Sequence, residues 1–432
     1  MLNEDFVKIH SKFLKEKIDQ VDIIYQIFWM LRNLICDSIY LRDTFLNCDL
    51  VENVIDIIDL GLKERKMSLI KSSSFLLFDC FKEEQFVENN HQLIDVLYKI
   101  IPVFINLNKL NDDEVSNCCL WSLRVISGIE DDRNPNGIQE MFLNNDGDFI
   151  LTLLAMNYNE NKSELYQTLK ILGNLLAVND DKFVDNMLEF DILKFFENIF
   201  DHETNKKIRT VTLWAISNIA GGHYSHVKKI VNSNLYDKII SMTSDYDFTT
   251  RKEAVYVLHN MCSEVNLSLG TELVKKSIFE VFVKVIEKNV DNSVIELALL
   301  SIEKLLHTGE AIREISDVNS MAKKFDEIGG SACLEKLQYH PNNEIYHRAL
   351  NILEKYFEIK QVDNHQITDF RESSNNYVHY NYTNDNFRID SESLQLQVSS
   401  NPNYNFYGPN GASDIQSEVS ESLMDQSHSN YY

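Results

Sequence analysis

One short pattern recurs along this 432-residue chain, and its spacing constrains the fold more than any other feature. The run TLWAISNIAGG (212–222) has relatives at 27–37 (IFWMLRNLICD), 73–83 (SSFLLFDCFKE), 119–129 (CLWSLRVISGI), 168–178 (TLKILGNLLAV) and 254–264 (AVYVLHNMCSE). Its third position holds Trp29, Phe75, Trp121, Lys170, Trp214 and Tyr256, at steps of 46, 46, 49, 44 and 42 residues. Four residues further on stand Asn33, Asp79, Val125, Asn174, Asn218 and Asn260. A fainter copy, ALLSIEKLLHT at 298–308, continues the series with Leu300 and Lys304. Between the copies lie further amphipathic segments such as DILKFFENIFD and NLYDKIISMTS, with aliphatic residues at three- and four-residue steps. A unit of this length cannot close its own core. Stacked against its neighbours it buries a continuous one.

Thirteen glycines and five prolines are too few for the turns of an all-β sandwich or barrel, so the composition favours helices joined by short loops. The period falls in the armadillo and HEAT size class. The expected fold is therefore an all-α solenoid, a right-handed superhelix with a long concave groove. It would occupy residues 1–360 as about eight repeats, the first incomplete. Residues 361–432 are rich in Asn, Ser, Tyr and Asp, and carry ten acids against two bases, Arg371 and Arg388, a net −8. They are expected to form a disordered acidic tail.

The formal net charge of −25 argues against duplex nucleic acid and anionic membranes as partners, and favours a basic peptide. The most apolar segment, IIYQIFWMLRNLI, is short for a membrane span and contains Arg32. Asn3, Glu4 and Asp5 interrupt the start, so no signal peptide is expected. The seven cysteines form no CxxC pair and fall mostly in apolar runs. They read as reduced core residues of a cytosolic or nuclear protein. The glycosylation sequons at Asn161, Asn266 and Asn381 have no consequence without secretion.

Residues i and i+4 share a helix face. A ladder of such helices would line up aromatic walls, and a slot between two walls accepts a lysine stem and holds its ammonium by cation–π attraction, about 0.5–2 kcal/mol per contact. Asparagine carries donor and acceptor together, so a row of asparagines can hold the backbone of an extended peptide. Asp37 and Glu253 are placed to act as charge partners. Each residue also has a structural reading: the tryptophans as core, Asp37 as a solvated helix end, Glu253 as a local partner of Lys252 or Arg251. Trp121 is followed by Val125 instead of Asn, and core packing is the better reading there.

The chain resembles the importin-α (karyopherin-α) family of armadillo adaptors over residues 5–360. The resemblance rests on FWMLRN with Asp37, LGN at 172–174, LWAISNIAGG, DYDFTTRKEAVYVLHN, and GGSACLEKLQYHPNNEIYHRALNILEKYF, which looks like that family's last repeat. It implies a nuclear import receptor that binds Lys/Arg-rich nuclear localisation signals of cargo, without cofactor or metal, in cytoplasm and nucleus. Aligned this way, the chain begins inside the family's third repeat, without the importin-β-binding segment and first two repeats. Importin-β recruitment is then expected only from a longer N-terminal form. The family's larger peptide site retains Trp29, Asn33 and Asp37, with Phe75 and Asp79 replacing Trp and Asn. The smaller site is better kept, with Asn174, Trp214, Asn218, Glu253, Tyr256 and Asn260. Val211 replaces an acidic family position, and Lys170 stands where the family commonly has a basic residue, which points to a structural role. The last repeat implies contact with an export factor. An alternative is an importin-α-derived scaffold or fragment that binds partners without completing an import cycle.

Other motifs carry less. His223 and His226 in HYSH read as exposed loop or cap residues, with no further metal ligands nearby. Asp146 and Asp148 in NNDGDF lack the glutamate of a calcium loop and read as a turn. Gly221 and Gly222 are expected to end their helix in the left-handed conformation. No P-loop, dinucleotide fingerprint, HExxH or GxSxG is present, and no nucleophile, base and orienter can be assembled, so no enzyme is expected. Phe6, Ile9 and Phe13 form an apolar stripe expected to be partly exposed at the first helix.

Overall fold

A computed structural model describes residues 9–14, 20–48, 50–82, 91–110, 112–155, 161–245, 247–263, 265–288, 291–316 and 318–357. Phe6 and the segment 361–432 lie outside these residues. Every regular element described is helical. The chain divides into two compact units, one ending at Glu264 and the other beginning at Val265.

In the first unit the recurring motifs fall on six helices: α1 (Val21–Asp37), α2 (Met67–Asp79), α3 (Asp113–Ile126), α4 (Lys162–Leu176), α5 (Lys206–Ala220) and α6 (Phe248–Ser263). Each packs on the next, in order, to form one layer. The intervening amphipathic segments form helices Leu50–Glu64, His91–Leu107, Ile192–His202 and Leu235–Met242, each packed against the layer helix that follows it. The core lies between these sets, where Leu77, Leu120, Leu172, Leu213, Ile216 and Leu258 are fully buried. No unit closes its own core. Burial comes from both the partner helix and the neighbouring repeats.

The starts of the layer helices follow from local chemistry. Asp112 accepts from the Val115 amide at 3.2 Å, Asn161 from Ser163 and Glu164 at 3.1 and 3.2 Å, and Asn205 from Lys207 at 2.9 Å. Each satisfies amides left orphaned in a first turn. The ends depart from expectation. Helix α5 does stop at Ala220, but Gly221 caps it at φ −82°, and Gly222 is not left-handed either. What Gly222 supplies is space: a Cβ there would lie 3.0 Å from Nδ1 of His226. Left-handed glycines lie elsewhere, at Gly329 with φ 82° and in the NNDGDF turn, where Asn145, Asp146 and Gly147 have φ of 56°, 56° and 72°. A Cβ on Gly147 would lie 2.2 Å from the Phe190 ring.

His226 also differs from the sequence reading. It is fully buried, with Nε2 3.3 Å from Oδ1 of Asp185, while His223 caps its helix through the Ser225 amide. Among the described residues no cluster of three His, Cys, Asp or Glu is arranged to hold a metal ion, and no helix is long and apolar enough to cross a membrane. Ile9 is 64% exposed and Phe13 half-buried. The second unit repeats the pattern with α7 (Asn292–Ser316) packed on α8 (Asn343–Tyr356), linked by an Arg348–Glu303 ion pair at 3.1 Å. Leu300 is half-buried and Lys304 exposed.

Candidate functional site, a ladder of aromatic and amide side chains

On α5, every residue from Thr210 to Ala220 is buried except Trp214 and Asn218. On α4, every residue from Leu165 to Leu176 is buried except Lys170 and Asn174. On α6, Tyr256, His259 and Asn260 are the openings between Ala254 and Cys262. A helix packed on all sides but one exposes a stripe one residue wide, and these positions are four residues apart on it. On α4 and α5 the recurring pair is therefore the part of the buried stretch that meets solvent, and on α6 His259 opens beside it.

The asparagines are tied across the layer. Nδ2 of Asn218 donates to the carbonyl of Gly173 at 2.9 Å, and Nδ2 of Asn260 donates to that of Ser217 at 3.0 Å. Nδ2 of Asn174 donates to the carbonyl of Arg124 and to Oγ of Ser127, both at 3.0 Å. In each case the acceptor carbonyl sits in the last turn of the preceding layer helix, one residue before the ladder position there. Such carbonyls lack an intrahelical donor or share one, so the asparagine completes the end of its neighbour's helix. Asn218 and Asn260 keep Oδ1 and a second N–H for other partners, while Asn174, which spends both N–H groups, keeps Oδ1.

The indole of Trp214 leans back onto α4. A Cβ on Gly173 would fall 2.0 Å from its Cζ3, so glycine in LGN is the seat of the ring. Lys170, one turn earlier, places Nζ 4.1 Å from the indole centroid. Burial lowers the Lys170 ammonium to about 8, with Arg124 adding to the fall and Glu253 opposing it. Glu253 is half-buried, and burial raises its carboxyl to about 7 against the pull of Lys252 and Lys170. Val211 is fully buried, so the position beside Trp214 that is acidic in the resembled family faces the core.

The earlier steps of the ladder differ. Trp29 is 66% exposed on α1, with Asn33 and Asp37 exposed on the same stripe. On α2, Phe75 is half-buried and Asp79 is buried. Asp79 holds no donor of its own, and its Oδ2 accepts from Nε of Arg32 at 2.6 Å. The same guanidinium lies 5.2 Å from the Phe75 centroid. Burial raises the Asp79 carboxyl, and Arg32 pulls it back. Trp121 is half-buried, packed edge-on to Phe78 of α2 at 5.5 Å, with Arg124 at 5.1 Å from its ring. The structure thus gathers Asn174, Trp214, Asn218, Glu253, Tyr256 and Asn260 on three adjacent helices. Trp29, Asn33, Asp37, Phe75 and Asp79 sit on the first two, with α3 between the groups. Sequence reasoning missed Gly173 and Arg32. The LGN triplet was the available sign of the first, and nothing local marks the second.

Comparisons with known proteins agree with this architecture. Residues 319–369 match the family described as Atypical Arm repeat. The chain is 23% identical over 329 residues to importin subunit alpha-8 of Arabidopsis thaliana, covering 76% of this chain and 70% of that one. It is 25% identical over 281 residues to importin subunit alpha-2 of Oryza sativa subsp. japonica, where it spans 50% of the relative's length. Among solved structures, a designed armadillo repeat protein in complex with the peptide (KR)4 superposes with a TM-score of 0.50 at 20% identity, covering 59% of this chain and 98% of that one. An engineered protein gives a TM-score of 0.59 at 17% identity over 75% of this chain and 72% of its own. The stacked helical layer, with a stripe of aromatic and amide groups at fixed pitch, has the armadillo-repeat fold. Within that class the chain is importin-α-like.

Proposed function

We propose that this chain is a nuclear import adaptor that binds Lys/Arg-rich nuclear localisation signals of cargo along the α4–α6 face. The observation that carries this reading is the single open stripe of α5, Trp214 and Asn218, in register with Asn174 on α4 and Tyr256 and Asn260 on α6. A structural protein has no need to keep an indole half-exposed on a helix buried everywhere else. Trp214 walls a slot for a basic side chain, the unengaged Oδ1 atoms accept from a peptide backbone, and Glu253 supplies charge. The stripe of Trp29, Asn33 and Asp37 is a second, lesser contact, weakened because Phe75 and Asp79 replace the aromatic-amide pair of the next step. The residue roles, movement between cytoplasm and nucleus, an export factor at 329–357, and importin-β as carrier for a longer form all belong to this proposal.

The test is binding of a fluorescent (KR)4 peptide to the full chain. Trp214→Ala weakens it by about 2- to 30-fold, the worth of one cation–π contact. Unchanged affinity rejects the face as the site. A steeper loss for Trp29→Ala than for Trp214→Ala reverses the ranking of the two contacts. The alternative, a scaffold that binds partners elsewhere, is favoured by the Arg32–Asp79 pair, which already engages one step of the ladder.

A further inference from the structure

Two aromatic rings of the ladder are covered by cations that reach across from the preceding layer helix, whereas the cations near Trp121 and Tyr256, Arg124 at 5.1 Å and Lys252 at 6.0 Å, come from the ring's own helix. Arg32 reaches from α1 across to α2, with its guanidinium carbon 5.2 Å from the Phe75 centroid and its Nε 2.6 Å from Asp79. Lys170 reaches from α4 to α5, with Nζ 4.1 Å from the Trp214 centroid. The residues stand 43 and 44 positions before the rings they cover, one repeat apart in each case. They start from different places in the pattern: Lys170 holds the aromatic position of its own repeat, while Arg32 lies one before the asparagine position of its repeat. Two different positions thus arrive at one arrangement, a basic head on the ring of the next repeat.

The first of these has every part of a bound peptide arginine. The guanidinium stacks on an aromatic face and gives a charge-assisted hydrogen bond to a carboxylate whose side chain is 4% exposed. Asp79 occupies the asparagine position. An asparagine there would reach back as a donor, whereas a carboxylate only accepts, and the nearest strong donor is Arg32. The second is a lysine whose ammonium lies 4.1 Å from the centroid of a half-buried indole seated on Gly173, the contact a peptide lysine would make with Trp214. We propose that Arg32 and Lys170 are built-in occupants of the two cation slots, and that they set specificity by making an incoming basic side chain displace one of them. This rests on the peptide-binding reading of the face. It follows that the unmodified slots discriminate against single basic residues and admit peptides that supply several cations at once.

The experiment separates occupancy from simple charge repulsion. Lys170→Ala removes both head and stem, whereas Lys170→Met removes the charge and leaves an unbranched stem over the ring. With the fluorescent (KR)4 peptide on the full chain, Lys170→Ala is expected to tighten binding by about 3- to 30-fold and Lys170→Met by clearly less. Equal tightening by the two variants, or none from either, overturns the proposal. At the other slot Arg32→Ala alone would leave a buried carboxylate without its partner, so the variant is Arg32→Ala with Asp79→Asn, which restores the asparagine of the pattern. It too is expected to tighten binding, and weaker binding by a folded double variant counts against the proposal. A readout without peptide uses the chain's three tryptophans. In a Trp29→Phe/Trp121→Phe background Trp214 is the sole indole, and Lys170→Ala should raise its quenching by acrylamide. Unchanged quenching shows that Lys170 does not cover the ring. If wild-type binding depends on Trp214 while Lys170→Ala changes nothing, occupancy alone fails. If binding ignores Trp214→Ala with and without Lys170, the peptide-binding reading fails as well.

Discussion

At the scale of single residues, the asparagines tie each layer helix to the one before it, a job separate from the peptide contact proposed for them. Their spacing was legible because a polar amide in an apolar helix needs partners, and the fixed four-residue offset from an aromatic placed them on one stripe. The carbonyl each one meets was not legible, since Gly173 and Ser217 lie 45 and 43 residues away. The consequence is measurable. Asn218→Ala removes one inter-repeat hydrogen bond and should cost about 0.5–1.5 kcal/mol. Asn218→Asp sets a carboxylate against the Gly173 carbonyl and should cost more, about 1–3 kcal/mol. A thermal melt in which Asp is tolerated as well as Ala would show that the bond to Gly173 is unimportant. Glu253 gives a second prediction. Its carboxyl titrates near 7 in the folded chain against 4.5 ordinarily, so between those values the folded state holds a proton that the unfolded state has lost. Stability from this group is present below about pH 4.5 and is lost as pH rises through 7. Glu253→Gln should flatten that part of the stability–pH profile, and a profile of unchanged slope would mean that burial does not control Glu253.

At the scale of elements, the repeat was readable because apolar period and the aromatic–amide offset recur together; the capping residues Asn161, Asn205 and Asp112 that start those helices emerged only with the structure. How one layer helix seats the next was not readable, because it depends on which residue lies under the facing indole. Gly173 decides it between α4 and α5. Replacing a helical glycine by alanine ordinarily gains about 1 kcal/mol from helix propensity. Here the new Cβ would sit 2.0 Å from the indole, and overpacking of that kind costs about 1–3 kcal/mol. The strain wins, so Gly173→Ala should lower the melting temperature. In a Trp214→Ala background the obstacle is gone, and the same substitution should become stabilising. A stabilising effect in the wild-type background would show that the indole moves aside freely. The ends of helices carry the opposite lesson. Gly221 and Gly222 look like a left-handed stop in sequence, yet the helix ends with ordinary right-handed geometry, and Gly222 is small to admit the buried His226.

At the scale of the whole chain, the charge of −25 complicates any binding assay with a cationic peptide. An acidic protein attracts such a peptide without a site, and that attraction is screened by salt within about 10 Å at 0.1 M. Contacts inside the ladder are different in kind: an ammonium on a half-buried indole is shielded from mobile ions, so its contribution persists as salt rises. The two contributions separate in a salt series. From about 0.05 to 0.5 M salt the affinity for (KR)4 should fall steeply for wild type and for Trp214→Ala alike, because both keep the same net charge. The ratio between them should stay near its low-salt value, because only wild type has the indole. A ratio that closes to one at high salt would mean that the peptide condenses on an acidic surface and that the ladder contributes nothing. The same series reads the built-in cations. Lys170→Ala alters the net charge by one in −25, too little to change the salt slope appreciably, so a tightening that survives at 0.5 M reports an opened slot instead of a changed field.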